Sequence, residues 1–228
     1  MNMIFRDRID AAEKLAEKLL WLKQEEKEEG IQSNYIMILA VPRGGVVIGD
    51  IISRILNAKL DVVVSRKIGA PYNAELALGA VMPDGSFFPN ENIIRMLKIS
   101  EGYINGQIDT QMKEIDRRLM SFRGSKEYSY DLQNRTVILV DDGIATGATI
   151  LAASKWLKKK ENCNKLIIAV PVAPKDIADK LKKVADRVII LHSPSSFEAV
   201  GQFYHDFSQV SDNQVKKIMH RHGYKTCF

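Results

Sequence analysis

Five short apolar runs recur along the chain, most of them followed by a stretch with helical spacing, and this alternation restricts the fold more than any other feature. The runs are residues 35–41 (YIMILAV), 60–64 (LDVVV), 136–140 (TVILV), 165–170 (KLIIAV) and 187–191 (RVIIL). They are nearly continuous rather than alternating, the pattern of strands buried on both faces of a parallel sheet. Parallel neighbours need a crossover, and helical candidates at residues 46–57, 148–160 and 175–184 supply it. The expected fold is therefore α/β, a mostly parallel twisted sheet flanked by helices.

Two segments depart from the alternation. Residues 76–88 read as a hairpin turning at Pro83-Asp84-Gly85. Residues 93–122 read as an inserted helical segment whose middle is weakened by Gly102 and Gly106. Residues 9–27 read as one amphipathic helix carrying Leu15, Leu19 and Leu22. No linker or repeat interrupts the chain, so one domain over residues 1–228 is expected. Its core would be about 35–192, with a small hood from the chain ends, about 1–34 and 193–228.

Composition narrows the function. The chain has 33 Lys and Arg against 28 Asp and Glu, a dispersed excess that suits an anionic ligand rather than a nucleic acid. Its longest basic run, Lys158-Lys159-Lys160, falls where a helix should end and complements the dipole. Two cysteines, Cys163 and Cys227, give neither a disulfide scaffold nor metal-ligand spacing. His220 and His222 lack an evident third ligand. The first twenty residues carry Arg6, Asp7, Arg8, Asp10 and Glu13 and do not form a secretory leader, and no run is apolar for membrane-spanning length. A cytoplasmic protein without a membrane partner is expected.

The segment with the most chemistry is Val137-Ile138-Leu139-Val140-Asp141-Asp142-Gly143-Ile144-Ala145-Thr146-Gly147-Ala148-Thr149. A buried strand ends in two carboxylates, and a loop of small residues runs straight into a helix. Open α/β sheets bind ligands at the carboxyl ends of their strands. A glycine-bearing loop that opens a helix offers free backbone amides to a phosphate. Thr146 and Thr149 add hydroxyls. Paired carboxylates would repel a bare phosphate, so the ligand should also carry hydroxyls that a carboxylate can accept.

This segment resembles the signature of type I phosphoribosyltransferases, which bind 5-phosphoribosyl pyrophosphate (PRPP). The resemblance spans most of residues 35–191. It implies that Asp141 and Asp142 hold the ribose hydroxyls and stabilise charge on the ring. It implies that Gly143, Ile144, Ala145, Thr146, Gly147, Ala148 and Thr149 wrap the 5-phosphate. Ala40-Val41-Pro42-Arg43-Gly44-Gly45 resembles the family's pyrophosphate loop, with Arg43, Gly44 and Gly45 as the binding residues. Arg66 and Lys67, after the second strand, would add charge to the pyrophosphate, and residues 69–73 would form a mobile lid.

The activity so implied is transfer of the 5-phosphoribosyl group to a nitrogen nucleophile, with release of pyrophosphate. Magnesium would be the cofactor, bound mainly through the diphosphate. PRPP and a small-molecule acceptor are the expected partners, and a homodimer is left open. Ala145 departs from the 6-oxopurine enzymes, which carry an aspartate at that position, and so disfavours hypoxanthine or guanine as acceptor. Tyr204 and Phe207, in the segment 193–207, are the candidates for contacting the acceptor. Two other readings stand beside this one. The first is a regulator that binds PRPP without turnover. The second, a phosphate-ester hydrolase, would need a nucleophile or metal cluster near the loop.

Overall fold

The computed structural model describes residues 4–28, 35–128, 132, 135–159 and 163–226. In chain order its elements are α1 (Arg8–Glu17), α2 (Trp21–Glu28), β1 (Ile36–Ala40), α3 (Gly44–Leu56) and β2 (Lys59–Val62). There follow β3 (Arg66–Ala70), β4 (Asn73–Val81), β5 (Phe87–Pro89), α4 (Glu91–Leu97) and α5 (Glu101–Arg123). The chain then runs through β6 (Thr136–Val140), α6 (Ala148–Lys159), β7 (Lys165–Val172), α7 (Lys175–Leu181) and β8 (Arg187–His192). A 3-10 turn at Val200–Phe203 and α8 (Asp212–Arg221) complete it.

The main sheet is parallel throughout, in the order β2-β1-β6-β7-β8. The chain steps from β1 outward to β2, then returns to lay β6 on the other side of β1. Loops leaving β1 and β6 therefore diverge to opposite faces and open a crevice between them, where such sheets take ligands. The continuous apolar runs have a direct cause. Ile36, Ile38 and Ala40 of β1 pack into one buried cluster with residues of α1, α3 and α5. Their neighbours Met37, Leu39 and Val41 pack into another with residues of α6 and α7. A strand covered on both sides has no face left for polar residues.

β3, β4 and β5 form a separate antiparallel sheet. The hairpin expected over residues 76–88 is its β4–β5 part. The segment expected as a lid, residues 69–73, is a hairpin tip: Arg66 to Ala70 is β3, and Pro71-Tyr72 is the turn into β4. Tyr103 Oη donates to the Gly69 carbonyl at 3.1 Å, so this hairpin is tied to α5.

Two helical expectations need correction. Residues 9–27 are not one helix. Lys18, Leu19 and Leu22 donate to Leu15, Ala16 and Leu19, so the chain tightens into i→i+3 turns between α1 and α2. Leu15, Leu19 and Leu22 are nonetheless all buried. In the inserted segment the interruption lies at Lys98, with φ 50°, rather than at Gly102 and Gly106. Both glycines lie inside the first turns of α5, behind the cap that Ser100 Oγ makes by accepting from Tyr103 N. A helical glycine costs only about 1 kcal/mol, less than a cap and a packed face supply. Lys158 and Lys159 close α6 as expected, whereas Lys160 and Cys227 lie outside the described residues. Among the described residues no helix is long and apolar enough to cross a membrane.

The chain ends interlock. Ile4 N and Phe5 N both donate to Phe203 O at 3.0 Å, and His205 N returns to Phe5 O at 2.9 Å. At the other end of the insertion, Arg123 closes α5 with a buried ion pair. Its Nε and Nη2 donate to Asp61 Oδ1 and Oδ2 at 2.8 and 3.0 Å, and the two side chains are 4% and 0% exposed. This pair pins α5 to β2. Arg123→Met leaves the Asp61 charge buried and uncompensated, so a loss of about 3–5 kcal/mol is expected in urea unfolding. The double variant Asp61→Asn/Arg123→Met should recover part of it.

Candidate active site

β6 ends at Val140, in the middle of the sheet, and the next two residues are Asp141 and Asp142. Asp141 Oδ1 accepts from the Asp142 amide at 2.9 Å. Burial, and then the charge of Asp142, push the Asp141 carboxyl well above its ordinary range. Asp142 is held from outside the loop. Arg8, the first residue of α1, donates from Nε to Asp142 Oδ2 at 2.7 Å, with the two side chains 11% and 15% exposed. Arg8 Nη1 donates to Ser208 O at 2.8 Å, and its guanidinium lies 3.9 Å from the Phe207 ring centroid.

The loop after the carboxylates is anchored at Ile144. Ile144 N donates to Val172 O of β7 at 2.9 Å, and the Ile144 side chain is buried. Ala145 and Thr146 are exposed. Gly147, with φ 76°, turns the chain into α6, a conformation that favours glycine. Leu151 N makes the bond back to Gly147 O. Helix geometry leaves the preceding amides of the first turn without an intrahelical acceptor, the arrangement that takes a phosphate oxygen.

The second glycine loop leaves β1 and lies directly against this one, because β1 and β6 are paired. A Cβ at Gly44 would stand 1.8 Å from Asp142 Oδ2, so only glycine allows this contact. The Pro42–Arg43 peptide is cis. Arg43 Nη1 reaches Asp212 Oδ1, at the start of α8, at 3.3 Å. Arg43, Gly44 and Gly45 thus adjoin the Asp141 and Asp142 pair at one end of the sheet.

Arg66 and Lys67 do not share one location. Arg66 pairs in register with Val81 and Lys67 with Ala80, and these two belong to opposite core clusters. Directly opposed residues share a face, so adjacent strand residues point apart. Arg66 faces α5, where Nε donates to Gln111 Oε1 at 2.9 Å. Lys67 faces the α6 side.

The aromatic candidates are engaged in support. Tyr204 is 2% exposed, and its hydroxyl donates to the Asp142 carbonyl at 2.6 Å. Burial, and then the Asp142 charge, hold its phenol well above its ordinary range, so it remains a donor. It packs between the rings of Phe5 and Phe207, with centroids at 5.2 and 4.9 Å. In this arrangement Tyr204 braces the carboxylate loop, and Phe207, half-buried, backs Arg8. Arg8 itself had no local signal. It follows an N-capping aspartate and reads as an ordinary helix start, 134 residues from its partner.

The raised Asp141 pKa has a testable sign. Folding disfavours its ionised form, so the penalty is absent below its ordinary value of 3.8 and grows as pH rises toward the folded value. Asp141→Asn keeps the acceptor oxygen and removes the penalty. Its Tm at pH 7 is expected to rise above that of wild type. The gain should shrink as the melts are repeated toward about pH 4. A variant less stable than wild type at pH 7 would contradict the burial account.

Comparison with known proteins agrees with this geometry. Residues 6–208 match the family described as "Phosphoribosyl transferase domain". A Mycobacterium tuberculosis (H37Rv) protein named "Putative phosphoribosyl transferase" is 36% identical over 218 residues, covering 96% of this chain and 47% of that protein. The chain therefore spans about half the length of that curated relative. The crystal structure of TT1426 from Thermus thermophilus is 35% identical, with a TM-score of 0.74, covering 96% of this chain and 99% of that one. An α/β fold with this parallel sheet, the two glycine loops at its β1–β6 crevice and matches of this extent lead to one conclusion: the chain belongs to the phosphoribosyl transferase domain family.

Proposed function

We propose that the chain transfers the 5-phosphoribosyl group of PRPP to a nitrogen nucleophile and releases pyrophosphate. The observation that carries this reading is the carboxylate pair at the end of β6, followed at once by a phosphate-type loop and pressed upon by Gly44. A site for phosphate alone has no use for two carboxylates. A site for a phosphorylated sugar does, because carboxylates accept from vicinal hydroxyls and stabilise a ring that becomes cationic as its diphosphate departs.

On this reading Asp142 accepts from the ribose hydroxyls in place of, or alongside, Arg8. Asp141 supports it from behind through the Asp142 amide. The amides after Gly143 and the Thr146 and Thr149 hydroxyls hold the 5-phosphate. Arg43, Gly44 and Gly45 meet the diphosphate. The acceptor's nitrogen attacks the anomeric carbon as the bond to the diphosphate oxygen breaks, and the diphosphate keeps the electron pair.

Among the described residues no three His, Cys, Asp or Glu side chains stand together in a way that could hold a metal. Asp141 resists ionisation and Asp142 is paired with Arg8. That donor set suits a magnesium ion held chiefly by diphosphate oxygens and water. When bound, magnesium supplies positive charge to the leaving diphosphate.

Calorimetry with magnesium and PRPP tests the reading. Wild type should bind, and Asp141→Asn/Asp142→Asn should lose at least about tenfold in affinity, the scale of a lost charged hydrogen bond. Equal binding by that variant would defeat the assignment. Pyrophosphate release should then be followed across purines, pyrimidines and small amines. Binding without turnover on any acceptor would favour a PRPP-binding regulator over a transferase.

A further inference from the structure

The inserted helix α5 lies between β3 and α8, with Ile115, Leu119 and Phe122 buried in the core. A neighbouring face carries Gln111, Glu114 and Arg118 at spacing i, i+3, i+7, flanked by Arg117. These side chains meet those of the candidate diphosphate end. Arg117 Nε and Nη2 donate to the two Glu114 oxygens at 2.7 and 2.9 Å. Arg118 Nε donates to the same carboxylate at 2.7 Å. Arg117 also reaches Asp212 Oδ2 at 4.0 Å, and Asp212 is the residue that engages Arg43. On the other side Arg66 takes Gln111.

Among the described residues, four guanidiniums here meet two carboxylates. Arg43, Arg117 and Arg118 converge on Glu114 and Asp212, each carboxylate being shared between two guanidiniums, and Arg66 joins them through Gln111. Burial, and then the nearby charge of Arg118, depress the Arg66 pKa from its ordinary value, while Glu114 opposes them. Arg117 and Arg118 hold Glu114 down to about 2. The hydrogen bond from Glu114 raises the Arg117 pKa, so that guanidinium is compensated, while Arg66 faces the like charges of Arg118 and Arg117, which an anion with several oxygens would offset. Arg117 and Arg43 remain 55% and 31% exposed, so such an anion can reach them. Arg43 directly precedes Gly44, which touches Asp142, so the network continues from the sugar site.

We propose that α5 supplies Arg117 and Arg118 to a polyphosphate-binding wall completed by Arg43 and Arg66, which takes the diphosphate of PRPP and the inorganic pyrophosphate left after transfer. Identification of the ligand as PRPP rests on the proposed function; the wall itself rests on the arginine network. Glu114 and Asp212 space the guanidiniums until the anion arrives.

Calorimetry with magnesium pyrophosphate, PRPP and ribose 5-phosphate separates the two. Arg117→Gln/Arg118→Gln should weaken pyrophosphate and PRPP binding by about tenfold or more, the scale of lost charge-assisted hydrogen bonds, with ribose 5-phosphate changed less than about twofold. Glu114→Gln should move the other way and tighten pyrophosphate by a few-fold, because it removes a competing carboxylate. A network that merely braces α5 would instead weaken in both variants, and that result overturns the proposal. So does pyrophosphate binding that is absent from wild type or unchanged in the double variant. If PRPP binds equally well to wild type and the double variant, the wall falls and the transferase reading stands. If pyrophosphate binds through Arg117 and Arg118 while PRPP and ribose 5-phosphate do not bind, the wall stands and the transferase reading falls.

Discussion

Two carboxylates in succession at the end of a central, buried strand are electrostatically expensive, and much of the surrounding structure answers that expense. One of them, Asp141, has its ionisation suppressed by burial and by its neighbour. The other, Asp142, is matched by Arg8, braced at its carbonyl by Tyr204 and approached by the backbone at Gly44. Arg8 follows residues 4–6, which are bonded to residues 203–206. The interlocked chain ends thus hold the charged end of the sheet together. The cost is retained where a ligand with hydroxyls would recover it, as expected of charge kept in a functional crevice.

Charge also fixes the elements that border the crevice. Asp50, buried in α3, works against its burial through His222, Arg54 and Arg221, which together hold its carboxyl below the ordinary range. Arg221 and His222 lie at the end of α8, and Asp212, at its start, reaches Arg43. The same helix is therefore tied to α3 at one end and to the loop before α3 at the other. Asp61 and Arg123 do the equivalent for α5. Since α5 enters the core through Ile115, Leu119 and Phe122, its arginine-bearing face has little freedom to turn away from β3.

β1, β6 and β7 could be read almost to the residue because strands buried on both faces must be continuously apolar, and the edge strands β2 and β8 keep enough of that pattern to be found beside them. The segment 137–149 could be read because its chemistry is contiguous: strand end, carboxylates, glycine loop and helix start follow one another along the backbone. β3 was less legible. Arg66, Lys67 and Gly69 look like a loop in isolation, and only pairing with β4 makes them a strand. The two turns of i→i+3 bonds between α1 and α2 were equally hidden, since Leu15, Leu19 and Leu22 keep the same buried face across them.

The sequence by itself determined the sheet, the phosphate-type loop and the carboxylate pair, because each is specified by residues adjacent in the chain. Only the tertiary structure decided what stands around that pair. It parted Arg66 from Lys67, since neighbours on a strand face opposite ways. It drew Tyr204 inward and set Phe207 against Arg8, since the chain ends pair with each other there. It brought Arg8 to Asp142 across 134 positions, and Arg117 to the Asp212 that engages Arg43. Ion pairs of that kind are set by where helices pack, which local pattern does not encode.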